Sequence, residues 1–162
     1  MYLLGIDVGT SGCKATVFTT DGEMVSFTQA EYSEYSPKPG LIELNVDEVW
    51  GKVKACTRTV ARTSPERIDA VALSVLGEAV LPIDKNGSCL HQAITAYDAR
   101  DQGYRTILKW WNEKLRPMAI YEITGIPLNS MPSVHKILWM KNNLPEVYRR
   151  TSKFVCVEDF LV

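Results

Sequence analysis

The stretch Gly5 to Lys14, GIDVGTSGCK, places an apolar run, one carboxylate, three glycines, two hydroxyls and a lysine within ten residues. Leu3 to Val8 is apolar and β-prone, and residues 13–19 alternate between two faces. The Gly9-Thr10-Ser11-Gly12 loop is therefore expected to join two strands as a hairpin tip. Neither G-x-x-x-x-G-K-[ST] nor G-x-G-x-x-G leading into a helix is present. In such a tip, glycines at positive φ can turn successive N–H groups toward one point, where a phosphate can sit. The hydroxyls of Thr10 and Ser11 and the ammonium of Lys14 suit the same ligand. Asp7 would repel that phosphate unless Mg²⁺ lies between them, with water retained around the ion. From the residues alone, a tight hairpin with Asp7 capping its own turn remains the alternative.

Working outward, Thr20-Asp21-Gly22-Glu23 supplies an Asp-Gly turn into a third strand near 24–32. Residues 35–45 carry two prolines and a glycine and read as a connection, after which Asn45 and Glu48 resemble a capping box. Val46, Val49, Trp50, Val53, Cys56 and Val60 then repeat at helical spacing. IDAVALSV, residues 68–75, is a near-continuous apolar run of the kind buried on both sides of a sheet. Strands are expected at 79–84 and 91–97 around Lys85-Asn86-Gly87, followed by helical stripes at Tyr104–Leu115 and Val134–Lys141. The order βββ, α, β, β, β and then mostly α predicts one α/β domain. The apolar ending FVCVEDFLV, with Phe160, Leu161 and Val162, points to a fragment of something longer and to self-association, as a homodimer for example.

The 162 residues are 46% hydrophobic and 23% charged, a globular composition that excludes disorder. Eighteen basic and nineteen acidic residues leave no field to recruit nucleic acid or an anionic membrane. No stretch approaches the length of a membrane span. Cys13, Cys56, Cys89 and Cys156 are scattered, and His91 and His135 fit no zinc spacing, so buried, reduced thiols in a cytoplasmic protein are expected.

MYLLGIDVGTSGCKATVFTTDGEMV resembles the first phosphate motif of the sugar kinase, heat-shock ATPase and actin superfamily. LIELNVDEVW, SVLGEAVLPIDKNG, AITAYDARD and the segment from ITGIPLNSMPSVHKILWMKNN to the terminus are similar, in order, to the start of the FGGY carbohydrate kinases. The resemblance implies a ribonuclease-H-like, actin/hexokinase-type fold with a mixed sheet, antiparallel β1-β2-β3 and flanking helices. It implies ATP-dependent, Mg²⁺-assisted phosphorylation of a hydroxyl of a sugar, ketose or polyol, with a xylulose-like substrate favoured. Asp7 would hold the metal or its waters, and Gly9, Thr10, Ser11, Gly12 and Lys14 would face the phosphate. Gly77, Glu78 and Asp98 would line the sugar side. Glycerol kinases carry an Arg-Glu pair and xylulokinases a Met-His pair at the place of Gly77-Glu78, so this chain keeps only the Glu. Residues 1–162 would form part of the N-terminal domain, inactive alone, with the general base and the nucleotide-binding domain outside the chain. A non-catalytic interaction module and another kinase of the superfamily are the alternatives.

Overall fold

The computed structural model describes residues 1–116 and 118–162, with the side chains of residues 101–103, including Asp101 of the AITAYDARD stretch, outside the described set. In chain order the elements are β1 (Tyr2–Val8), β2 (Gly12–Thr19), β3 (Met24–Glu31), β4 (Glu43–Leu44), α1 (Val46–Thr63), β5 (Ile68–Val75), β6 (Val80–Ile83) and β7 (Ala93–Ile94). There follow α2 (Arg100–Lys114), α3 (Ala119–Thr124), α4 (Ser133–Asn143), α5 (Pro145–Arg150), β8 (Lys153–Cys156) and α6 (Val157–Leu161). They group into two compact units, one of Met1–Glu34, Leu44–Gly77 and Val157–Val162, the other of Tyr35–Glu43 and Glu78–Cys156.

The first unit holds a mixed sheet of order β3-β2-β1-β5, antiparallel except for the parallel β1–β5 pair, as the resemblance implied. Alternation gives the sheet two unlike faces. Leu4, Ile6, Val8, Cys13, Ala15 and Val17 are buried on the face that α1 covers with Val49, Val53, Cys56 and Val60. The Cys13 and Cys56 sulfurs lie 3.9 Å apart there, and burial first, then the neighbouring thiol, pushes the Cys13 thiol up to about 11. Both remain thiols, while Cys89 and Cys156 are partly exposed rather than buried. The expected cap of α1 is present, since Asn45 Oδ1 accepts from the N–H groups of Asp47 and Glu48 at 3.1 Å each. Trp50 departs from the helical stripe and is partly exposed.

Strand β5 corrects one expectation. Its apolar run does form a strand, but Val71 is 55% exposed and most of its neighbours are exposed too. Among the described residues β5 pairs only with β1, and α1 lies over β1, β2 and β3. An apolar run specifies a strand that can be covered, not what covers it.

The second unit contains a separate sheet of order β4-β7-β6-β8, which takes the strands expected around Lys85-Asn86-Gly87 out of the first sheet. Their turn is built as the sequence predicts: Asp84 Oδ1 accepts from the Asn86 and Ser88 N–H groups, and Gly87 takes φ +81°. β6 pairs with β8 from Val80↔Cys156 to Ile83↔Lys153. Helices α2 and α4 bury Tyr104, Ile107 and Met140. At the terminus Leu161 is buried and Val162 exposed. No helix among the described residues is long and apolar enough to cross a membrane.

Candidate functional site

Strand register gathers the first set of functional side chains. Asp7 stands opposite Lys14 on β2 and opposite Ser74 on β5, and Lys14 stands opposite Gln29 on β3. Directly opposed residues share a sheet face, so Ser74, Asp7, Lys14 and Gln29 form a polar row across all four strands. This is the face α1 leaves uncovered. Where β1 ends, the row meets the glycine hairpin at a cavity of about 730 Å³ lined by Asp7, Gly9, Ser11, Gly12, Lys14 and Gln29, with Cys13, Glu31, Tyr32 and Glu48 among its other walls. Thr10, expected beside the phosphate, is not among the lining residues.

The hairpin differs from its expected geometry. Neither Gly9 nor Gly12 takes a positive φ, and the Gly9 N–H is spent on Gly12 O at 2.9 Å. Among the described residues, the N–H groups of Thr10 and Ser11 find no acceptor, so the donors left for a ligand are fewer than a continuous nest provides. Gly12 is needed for a different reason, close approach of two strands. A Cβ there would stand 2.7 Å from the backbone oxygen of Ala30, whereas one on Gly9 would meet only Gly12 O at 3.5 Å. Gly12→Ala is therefore expected to destabilise the protein by about 1–3 kcal/mol, as overpacking does, and Gly9→Ala to be much milder. Urea unfolding of the two variants checks this contrast.

Tyr32 was not singled out from the sequence. It is 5% exposed, and its hydroxyl lies 2.7 Å from Gly9 O and 3.0 Å from Gly12 O. Burial first, then the neighbouring Cys13 and Asp7, raises its phenol, which stays a donor at neutral pH. Gln29 was missed as well; it comes opposite Lys14 after a register shift between Val17 and Phe18.

The expected sugar-side residues lie elsewhere in the chain. Gly77 closes a segment of the first unit, and Glu78 opens a segment of the second. A Cβ at Gly77 would meet nothing within 4 Å. Glu78 has φ +57°, and its Oε2 accepts from both the N–H and the hydroxyl of Ser133, at 2.6 and 2.7 Å. One carboxylate oxygen thus satisfies an otherwise orphaned donor at the start of α4. Lys136 and His135, on the same helix as Ser133, are 0% and 2% exposed. Lys136 Nζ donates to Met131 O, and burial lowers its ammonium. Both ring nitrogens of His135 lack a partner among the described residues; burial first and the Lys136 charge second hold it below the usual histidine range.

Asp98 is 1% exposed and fully engaged. Oδ1 accepts from Arg100 N (3.1 Å), Arg100 Nε (2.7 Å) and Tyr104 Oη (2.8 Å), while Oδ2 accepts from Ile42 N (2.7 Å) and Arg100 Nη2 (2.8 Å). Burial alone would raise this carboxyl, but the hydrogen bonds and charge of Arg100 and the Ile42 N–H carry it below its ordinary value. Arg100 also reaches Glu43 at 2.7 Å and stacks on the Trp139 ring at 4.5 Å. At the start of α2 Asp98 has an organising role, because its Oδ1 takes the Arg100 N–H.

Comparison with known proteins bears on this arrangement as a whole. The chain is 30% identical over 161 residues to a gluconokinase of Bacillus subtilis, covering 99% of this chain and 31% of the relative. It is 34% identical over 153 residues to a glycerol kinase of Acaryochloris marina, covering 92% and 29%. A xylulose kinase structure from Lactobacillus acidophilus superposes with a TM-score of 0.90 at 22% identity, over 99% of this chain and 32% of that one. The chain thus spans about a third of the length of these kinases, and its fold is the ribonuclease-H-like fold of such neighbours. Residues 2–162 match the profile described as the FGGY family of carbohydrate kinases, N-terminal domain. A match over nearly every residue, on a sheet whose polar row ends at a glycine hairpin, makes this chain a member of the FGGY family of carbohydrate kinases.

Proposed function

We propose that the protein carrying this chain transfers the γ-phosphoryl group of ATP to a hydroxyl of a sugar, ketose or polyol, with a xylulose-like substrate favoured. The observation that carries the reading is the opposition of Asp7 and Lys14 on an uncovered sheet face, beside a hairpin with unspent N–H groups. In-line phosphoryl transfer depends on positioning and on charge stabilisation, and this wall supplies both signs of charge within one cavity.

The donor set fits Mg²⁺ held partly through water. Among the described residues no cluster of three or more His, Cys, Asp or Glu gathers as a cage, and Asp7 is exposed at the cavity. Mg²⁺ commonly takes one or two carboxylates, several waters and the substrate's own phosphates. Asp7 would hold the ion or its waters, and the ion would neutralise charge developing on the phosphate oxygens. Lys14, the Ser11 hydroxyl and the free amides of the hairpin tip would take the remaining phosphate oxygens. On the sugar side, Glu78 keeps one carboxylate oxygen that Ser133 does not occupy, suited to a substrate hydroxyl. Gly77 leaves room beside it. Asp98 acts by holding Ile42 and the start of α2 in place rather than by touching the sugar.

Coupled ADP release by the intact protein with MgATP, across ketoses, aldonates and polyols, tests the reading. Sugar-dependent ADP is expected, and no stimulation by any member of the panel would overturn it. Glu78→Ala should raise the sugar KM by an amount equivalent to about 1–3 kcal/mol, with the ATP KM nearly unchanged. Ser133→Ala probes the structural task of Glu78 alone, because it removes the hydroxyl bond while the residue-133 N–H still holds the same carboxylate oxygen. It should have the smaller effect on the sugar KM. A shift confined to the ATP KM would move Glu78 out of the sugar site.

A further inference from the structure

Tyr32 contacts three carbonyls of the glycine hairpin. Tyr32 follows β3 directly, and its N–H donates to Ser11 O at 3.2 Å, extending the β2–β3 ladder past Gly12↔Glu31. Its hydroxyl meets Gly9 O and Gly12 O at 2.7 and 3.0 Å. Three carbonyls of the hairpin, those of Gly9, Ser11 and Gly12, are thus drawn to one residue. A trans peptide unit is planar, with its C=O and N–H pointing opposite ways. Fixing Gly9 O therefore fixes the direction of the Thr10 N–H, and fixing Ser11 O fixes that of the Gly12 N–H. The glycines contribute no positive φ to this orientation.

We propose that Tyr32 is the positioning residue of the phosphate loop: its hydroxyl and N–H together set the direction in which the hairpin presents its amides to a bound phosphate. The proposal rests on the phosphate-loop reading given above. Gly12 O also receives the Gly9 N–H, so removal of the hydroxyl leaves Gly9 O as the acceptor without a donor. The Gly9–Thr10 peptide is then the unit free to rotate, at the point where the Thr10 N–H has no other partner. Phenylalanine keeps the ring that fills the space under the hairpin, and the loss is confined to the hydroxyl.

The test is Tyr32→Phe in the intact protein, read by amide hydrogen exchange and by steady-state kinetics. Exchange of the Gly9 and residue-32 amides, whose hydrogen bonds to Gly12 O and Ser11 O close the hairpin, should rise about 10-fold, as for a local opening relieved of one hydrogen bond, while the buried turns of α1 keep parental protection. In the kinetics, kcat should fall about 10-fold and the sugar KM should stay near parental, because the role proposed for this loop is toward the phosphate. Parental exchange at the hairpin would overturn the proposal. Equal acceleration in α1 would also overturn it, showing a residue that merely stabilises the unit. A loosened hairpin with parental kcat would overturn the positioning role. Should the parental protein transfer no phosphate to any sugar, the proposed function fails while the exchange contrast still decides whether Tyr32 orients the loop.

Discussion

Replacing Asp7 by Asn in the intact protein is expected to lower kcat about 100-fold, the scale on which a preorganised charge contributes to a charged transition state. The sugar KM should change little, because the loss falls on phosphoryl transfer rather than on ground-state sugar binding. Folding should be spared. Asp7 is exposed at the end of β1, and its carboxylate makes no hydrogen bond or ion pair among the described residues. Turnover at saturating MgATP, sugar affinity and the urea midpoint, measured on one preparation, separate these effects. Near-parental turnover with a parental midpoint would remove Asp7 from the reaction.

Asp98→Ala is expected to have the largest effect on stability, a loss of about 3–5 kcal/mol, because it strands a buried guanidinium. Arg100 is 2% exposed and would keep only Glu43 as an anionic partner, while Ile42 N and Tyr104 Oη would lose their acceptor. The same cluster gives the parental protein an acid limb. The Asp98 carboxyl is lowered from its ordinary 3.8, so the unfolded chain binds the proton more readily. Its contribution is complete above that value and is lost as pH falls through the lower folded one. His135 acts earlier. Its value is lowered from 6.5, so the unfolded chain gains a proton that the folded chain refuses, and stability declines as pH falls below 6.5. Urea unfolding followed by tryptophan fluorescence from pH 7 to pH 3 should show both stages in the parental protein. Asp98→Ala should lose the lower stage and His135→Phe the upper. A slope unchanged by Asp98→Ala would show that Arg100 does not hold this carboxyl down.

Local chemistry carried a large part of the structure. Alternation in residues 13–19 and the Asp21-Gly22 turn placed three antiparallel strands, and the Asn45 cap with its helical apolar stripe placed α1. Because the strand period is two, those assignments also put Asp7 and Lys14 on one face, whereas the register shift that brings Gln29 opposite Lys14 was not in them. The glycine hairpin, the lone carboxylate before it and the family resemblance are likewise properties of short stretches of chain. Other features depended on residues brought together from afar. The apolar pattern of residues 68–75 could not say that β5 would stand exposed among the described residues, because coverage is supplied by other elements. Nor could it assign β6 and β7 to a second sheet closed by β8. Positive φ at Gly9 and Gly12 was a reasonable expectation of glycine, yet close approach of the Ala30 oxygen is what requires Gly12. Tyr32 lies twenty residues from Gly12 and Glu43 fifty-seven from Arg100, separations at which no local pattern reports a contact. The sequence by itself determined the strands, their faces and the chemical type of the loop. Only the tertiary structure decided which distant side chains complete each buried hydrogen bond and charge, because a buried donor or carboxylate must be matched by whatever group the packing brings within reach.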